Sequence, residues 1–372
     1  MKLKRVALFL LALTLFLPCL SSADEELGTV YNKGLPSLRD AYADYFDFGA
    51  AITGTEMNDI SQLRGLSYQF SILTCGNEMK PEALLDVAES RKLAREDDTA
   101  VATRFNSCKY ILKFAQGQGI KMHGHVLVWH SQTPEAFFHV GYDLKQPFVS
   151  REVMLARLEN YIRQVMEYTH ENFPGLIVSW DVVNEAVADN GPNELRESNW
   201  TKVVGQDFIE RAFEYARKYA EEGTLLYYND YSTPYEPKLT RICSLLDRLI
   251  AEGNIDGYGF QCHYSTGTPS MQQVGMAFAR ISAKGLRLRV SELDVKINAN
   301  TEAWRNIQAD TYENLFRIFL RYADKIEAVQ VWGIVDSRSW LSTEYPLLFS
   351  GSHGYAKPAF YRLIQLAKAW KK

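Results

Sequence analysis

Eight short apolar runs recur along this chain, each separated from the next by a longer stretch. The runs cover residues 46–52, 68–73, 121–128, 176–183, 224–228, 257–261, 286–290 and 328–333. Amphipathic, helix-like patterns fall over 103–116, 151–170, 207–222, 238–252, 270–284 and 303–323. The runs are nearly continuous in apolar content, as expected of parallel strands covered on both faces. Eight such strands alternating with helices predict an α/β fold, a (β/α)8 TIM barrel, rather than a sandwich or a bundle. No Ser-, Pro- or Gly-rich stretch, repeat or low-complexity tract divides the chain, so one domain over 24–372 is expected.

Residues 1–23 have a different character. Lys2, Lys4 and Arg5 precede an apolar run from Val6 to Leu17, and Ser21-Ser22-Ala23 offers small residues at a cleavage site. This pattern predicts a secretory signal peptide, too short to anchor in a membrane, and hence a secreted protein, extracellular or periplasmic. Cys19 raises a lipoprotein, but Leu17-Pro18 before it is a poor context for lipid attachment. Loss of the three basic residues lowers the formal net charge from −4 to −7. A mildly acidic surface argues against nucleic acid or an anionic membrane as partner and suits a neutral polymer. No other apolar run reaches the roughly 18 residues of a membrane span, and a monomer is expected. Beyond Cys19 stand Cys75, Cys108, Cys243 and Cys262, with no C-x-x-C pair and no zinc-site spacing. Export permits disulfides, in any of three pairings. A chain this long buries a core without them, so mostly free, buried thiols are expected.

Polar and aromatic residues cluster where the runs end. Asn77 and Lys80 follow the second, Trp129 and His130 the third, Asn184 and Glu185 the fourth. Asn229 and Asp230 follow the fifth, His263 the sixth, Glu292 the seventh and Asp336 the eighth. In a barrel these positions converge on the one face that carries chemistry. Two glutamates stand out, each closing a strand: Glu185 in Ser179-Trp-Asp-Val-Val-Asn-Glu185 and Glu292 in Leu286-Arg-Leu-Arg-Val-Ser-Glu292. Their strands lie across the barrel mouth from each other. Breaking a glycosidic bond with retention needs an acid for the leaving oxygen and a carboxylate nucleophile about 5–5.5 Å away. Glu292 would be the nucleophile and Glu185 the acid, later the base. The plainer alternative is two surface glutamates capping the next helices, which the polar company at the other strand ends disfavours.

Trp180-Asp181-Val182-Val183-Asn184-Glu185 resembles the acid/base motif of the family 10 glycoside hydrolases, the endo-β-1,4-xylanases. Val290-Ser291-Glu292-Leu293-Asp294 resembles their nucleophile strand. Further motifs follow in family order: Asn77-Glu78-Met79-Lys80, Gly124-His125 through Trp129-His130-Ser131-Gln132, Tyr228-Asn229-Asp230-Tyr231, Gln261-Cys262-His263, Trp332-Gly333 and Ser339-Trp340. The resemblance runs from Gly49 to Ala359. It implies that Asn184 donates to the sugar 2-hydroxyl, that His263 bonds Glu292, and that Asp294 orients His263. Asn77, Lys80, His125 and Gln132 would clamp the sugars on the non-reducing side through hydroxyl-directed hydrogen bonds. Gln261 would join them in binding substrate. Trp129, Trp332 and Trp340 would wall the cleavage subsite, the last two crowding out a glucose hydroxymethyl. Asp181, with Asn229, Asp230, Asp336 and Arg196, would tie strand ends together behind the substrate-facing residues.

Four positions depart from the commonest family pattern: Gly76 where a distal-sugar glutamate is frequent, Pro81 for tryptophan, His123 for arginine and Ser350 for aspartate. Gly76 bears on the strength of the distal subsite, not on the reaction. No H-E-x-x-H or paired ligand spacing supports a metal, and no cofactor is expected. The implied activity is a retaining endo-β-1,4-xylanase acting on xylan and xylooligosaccharides. The alternatives are a barrel glycosidase on another β-1,4-glucan or mannan, and a xylan-binding protein that has lost catalysis.

Overall fold

A computed structural model of the chain describes residues 28–370 except 33 and 59; the expected signal peptide lies outside them. Nine strands form one parallel sheet: β1 Asp47–Ile52, β2 Ile72–Cys75, β3 Lys121–Trp129, β4 Ile177–Asn184, β5 Leu225–Asp230, β6 Gly257–Phe260, β7 His263–Ser265, β8 Arg287–Lys296 and β9 Ile326–Val331. Each pairs with its neighbour in chain order through β6, β6 pairs directly with β8, and β9 returns to β1. The sheet therefore closes on itself. The short β7 continues the sixth strand position after a break at Gln261-Cys262, where Cys262 takes a left-handed φ of 60°, and it pairs with the far half of β8. Eight strand positions with helices between them make the expected (β/α)8 barrel.

The helices form for local reasons and stay for tertiary ones. In Arg151–Asn172, Ser150 caps the N-terminus by accepting from Val153 N, and Met154, Leu158, Tyr161, Ile162, Val165 and Met166 bury one stripe. Lys238–Glu252 stops at Gly253, whose φ of 75° only glycine adopts freely. Full burial of each large apolar side chain contributes ~1.5–3 kcal/mol, several times any single propensity term. That imbalance explains two shifted boundaries. The run at 68–73 does not extend as one strand: Tyr68 and Gln69 close the helix Ile60–Gln69, and the strand begins at Ile72. The Gln69 side chain is buried, accepting from Leu38 N and donating to Pro36 O, so the helix end is anchored to the N-terminal segment. The helix expected from residue 103 begins at Lys109, because Thr103 is bridged to Leu85.

The barrel interior below the mouth is polar. Thr74 and Gln330 share hydrogen bonds, Arg289 Nε donates to Gln330 Oε1 at 3.1 Å, and Arg289 Nη1 donates to Ser179 Oγ at 3.3 Å. Ser179 Oγ meets His123 Nδ1 at 2.7 Å, so His123 occupies an interior layer and not the substrate face. One close approach fixes a glycine: a Cβ on Gly124 of β3 would stand 2.2 Å from the Trp180 ring on β4. We expect Gly124→Ala to destabilise the protein by about 1–3 kcal/mol through overpacking, read from urea denaturation midpoints at constant m-value.

Candidate active site

Glu185 stands one residue beyond the end of β4, with a left-handed φ of 56°. A glutamate does not adopt this backbone without support. Its N–H donates to Asn229 O at 2.9 Å, and its carbonyl accepts from Arg196 Nε at 3.2 Å. The turn swings the carboxylate inward, where Oε2 accepts from Trp129 Nε1 and Oε1 from Gln261 Nε2, both at 2.9 Å.

Glu292 comes from within β8 and sits deeper, buried at the barrel mouth. Its Oε1 accepts from Asn229 Nδ2 at 2.8 Å and its Oε2 from His263 Nε2 at 3.1 Å. The other ring nitrogen of His263 bonds Asp294 Oδ2 at 2.8 Å, and Trp340 Nε1 donates to the same oxygen at 2.9 Å. Burial alone would lower the His263 pKa. Asp294 first, and Glu292 with it, push it up to about 10. His263 is therefore an imidazolium that donates on both sides. Burial likewise opposes the charge on Glu292, but the hydrogen bond from His263 and the nearby His125 and His263 rings outweigh it. Its carboxyl is held below the ordinary glutamate range. Glu292 is an ionised carboxylate at neutral pH.

An amide relay joins the two glutamates. Gln261 Nε2 donates to Asn184 Oδ1 at 3.1 Å as well as to Glu185, and Asn229 Nδ2 donates to Asn184 Oδ1 at 3.0 Å as well as to Glu292. The Asn184 carbonyl thus takes two bonds, which leaves its NH2 group as the donor that faces outward. The register slips beside the strands that carry these groups: between His125 and Val128 on β3, between Asp181 and Val183 on β4, and between Val290 and Leu293 on β8. Such irregularities re-aim side chains at a barrel rim.

Both carboxylates open into one cleft of about 680 Å3. Asn77, Lys80, His125, Trp129, Gln132, Asn184, Gln261, His263, Trp332 and Trp340 line it with them, so every expected substrate-facing residue is there. Lys80 Nζ bridges Asn77 Oδ1 at 3.0 Å and Gln132 Oε1 at 2.9 Å, forming one polar group at one end. Burial lowers the Lys80 pKa, while Glu292 and Glu185 pull it back up. His125 Nδ1 meets Asp181 Oδ2 at 2.9 Å, and the Trp332 ring stands edge-on to His125 at 5.3 Å. Asp181 and Asp294 are fully buried beneath the cleft. Burial opposes the charge on Asp181, yet His123 and His125 hold its carboxyl far below the ordinary range. Trp340 is 63% exposed and stands at the rim, fixed by its bond to Asp294. Gln261 spends its amide N–H groups on Glu185 and Asn184, so it orients the acid candidate as well as lining the cleft.

Sequence reasoning placed Asn229 among groups that tie strand ends together; it touches Glu292 directly. Glu56 and Arg338 line the cleft and were not singled out, since neither sits at a strand end. Gly76 lines the cleft without a side chain. Cys75, Cys108, Cys243 and Cys262 are free and buried. No helix among the described residues is long and apolar enough to cross a membrane. Because the folded His263 pKa exceeds the ordinary value of 6.5, its ion pairs stabilise the fold fully below that pH and fade as pH rises toward 10. Wild type should therefore exceed His263→Gln in Tm by several degrees at pH 6, with the gap narrowing steadily by pH 10 in thermal melts.

Three comparisons bear on this arrangement. The family model described as glycosyl hydrolase family 10 matches residues 37–366. Endo-1,4-beta-xylanase B of Butyrivibrio fibrisolvens is 38% identical over 89% of this chain and 53% of its own length. An endo-1,4-beta-xylanase of Geobacillus stearothermophilus is 34% identical over 90% of this chain and 99% of its own. The chain spans between about a third and about half the length of the first three curated relatives it matches. Among solved structures, the N-terminal endo-1,4-beta-D-xylanase 10B of Clostridium thermocellum, complexed with xylohexaose, superposes with a TM-score of 0.83 at 32% identity, over 91% of this chain and 69% of that one. A mutant of the intracellular xylanase of Thermoanaerobacterium saccharolyticum, complexed with xylotriose, gives 0.80 at 32% identity, over 89% and 99%.

Proposed function

The chain belongs to glycosyl hydrolase family 10, and on that premise we propose that it is a secreted endo-β-1,4-xylanase that cleaves internal bonds of xylan with retention of configuration. The observation that carries the reading is the contrast between two glutamates in one cleft. Glu292 is kept ionised by an imidazolium, whereas Glu185 is held by a neutral indole and a neutral amide. In the proposed first step Glu292 attacks the anomeric carbon while Glu185 gives its proton to the leaving oxygen. In the second, Glu185 takes a proton from water, which attacks the same carbon and releases Glu292. The Asn184 NH2 would donate to the sugar 2-hydroxyl, a contact that strengthens in the transition state. Lys80, Asn77, Gln132 and His125 would grip the sugars on the non-reducing side. Trp332 and Trp340 would leave room for xylose and none for a hydroxymethyl group. The relatives named as xylanases, and those solved with xylohexaose and xylotriose, support this substrate class. Export rests on the character of residues 1–23.

Glu292→Ala should lower kcat on xylan by at least about 10³-fold while the circular dichroism spectrum stays near wild type. Substantial remaining turnover would remove it from the nucleophile role. NMR of a cleaved xylooligosaccharide should show the β-anomer appearing first, and an initial α-anomer would contradict retention. Trp340→Ala should narrow the ratio of rates on xylan and carboxymethylcellulose; a wild-type preference for carboxymethylcellulose would favour a glucan-directed enzyme instead.

A further inference from the structure

The backbone just beyond Glu185 is tied to a single hydroxyl. Ala186 N and Val187 N each donate to Tyr228 Oη at 3.0 Å. That hydroxyl in turn donates to Asp230 Oδ2 at 2.5 Å. A phenol has one hydrogen and two lone pairs, so Tyr228 Oη is saturated and cannot rotate away. Tyr228 and Asp230 are both fully buried. Asp230 Oδ1 accepts from Tyr231 N at 2.9 Å and lies 2.8 Å from Lys238 Nζ, which is itself buried. Lys238 Nζ reaches Asp189 at 2.7 Å, and Asp189 pairs with Arg196, the residue whose Nε holds the Glu185 carbonyl. The circuit therefore leaves the Glu185 backbone on one side and returns to it on the other. Among the described residues, none of these groups hydrogen-bonds the Glu185 carboxylate, which accepts from Trp129 and Gln261.

A left-handed φ on glutamate is unfavourable and persists only when its surroundings over-determine it. The bonds to Asn229 and Arg196 hold residue 185 itself; Arg196 N donates to Ala186 O and Val187 is bridged to Leu195, while the amides of both residues are held by Tyr228. We propose that Tyr228 is a positioning residue for the acid, its hydroxyl locking the Ala186–Val187 amides so that the Glu185 carboxyl stays between Trp129 Nε1 and Gln261 Nε2. The inference rests on the reading of Glu185 as the general acid. Displacing that acid slows bond breaking in proportion to how much the leaving group needs a proton. Tyr228→Phe strands two buried N–H groups, which the shifted turn would move to satisfy.

The test compares kcat/KM, which reports the steps up to the covalent intermediate, on xylohexaose and on dinitrophenyl β-xylobioside. Tyr228→Phe should lose about tenfold or more on xylohexaose and less than about twofold on the aryl substrate. Asp230→Asn keeps the tyrosine but weakens its acceptor, and should give the same split with a smaller loss; it also serves if Tyr228→Phe does not fold. Equal losses on both substrates, or no loss on either, overturn the positioning role. Glu185→Ala is run beside them: it should show the widest split. If it loses equally on both substrates, the acid assignment itself falls, whereas a split there without one at Tyr228 or Asp230 overturns this inference alone.

Discussion

Closure of the parallel sheet is the constraint on which the rest depends. Pairing of β9 with β1 and of β6 with β8 closes the barrel and brings all eight strand ends to one rim. Groups more than 100 residues apart in the chain, such as Glu185 and Glu292, then share one cleft. Parallel pairing also aligns the strands in one direction, so the residues that follow them share one end. Without closure, the polar residues after each strand would be scattered surface groups with no common chemistry.

Electrostatics then separates the two carboxylates. Glu292 lies within a strand, deep enough that burial would neutralise it, and the barrel compensates with an imidazolium clamped by Asp294. A buried charge pair of this kind is costly to break, because either partner left alone is an unpaired ion away from water. Glu185 lies just past a strand on a strained turn, and its carboxylate accepts from a neutral indole and a neutral amide. The difference arises from depth along the barrel axis, not from residue type.

Much of this was legible in the sequence, and the misses have physical causes. Alternating apolar runs and amphipathic stretches predicted the barrel because burial dominates local propensity. They misplaced the start of β2, because an apolar run alone does not distinguish a buried helix end from a strand. The residues at strand ends were found because the fold puts them at the rim whatever their identity. Glu56 and Arg338 were missed because they reach the cleft from connecting segments, whose paths no periodicity records. Asn229 was found as a buried group behind the cleft; that it bonds Glu292 and Asn184 directly depends on register, which spacing does not give.

By itself the chain determined the eight strand positions, the order of the motifs and the two glutamates that end up in one cleft. These follow from patterns that local burial enforces. Only the tertiary structure decided that His263 is charged, that Gln261 and Asn229 join the glutamates through Asn184, and that one tyrosine hydroxyl anchors the turn after Glu185. Each of these depends on distances near 3 Å between residues remote in sequence. Such distances are set by strand register and barrel closure, which no local pattern encodes.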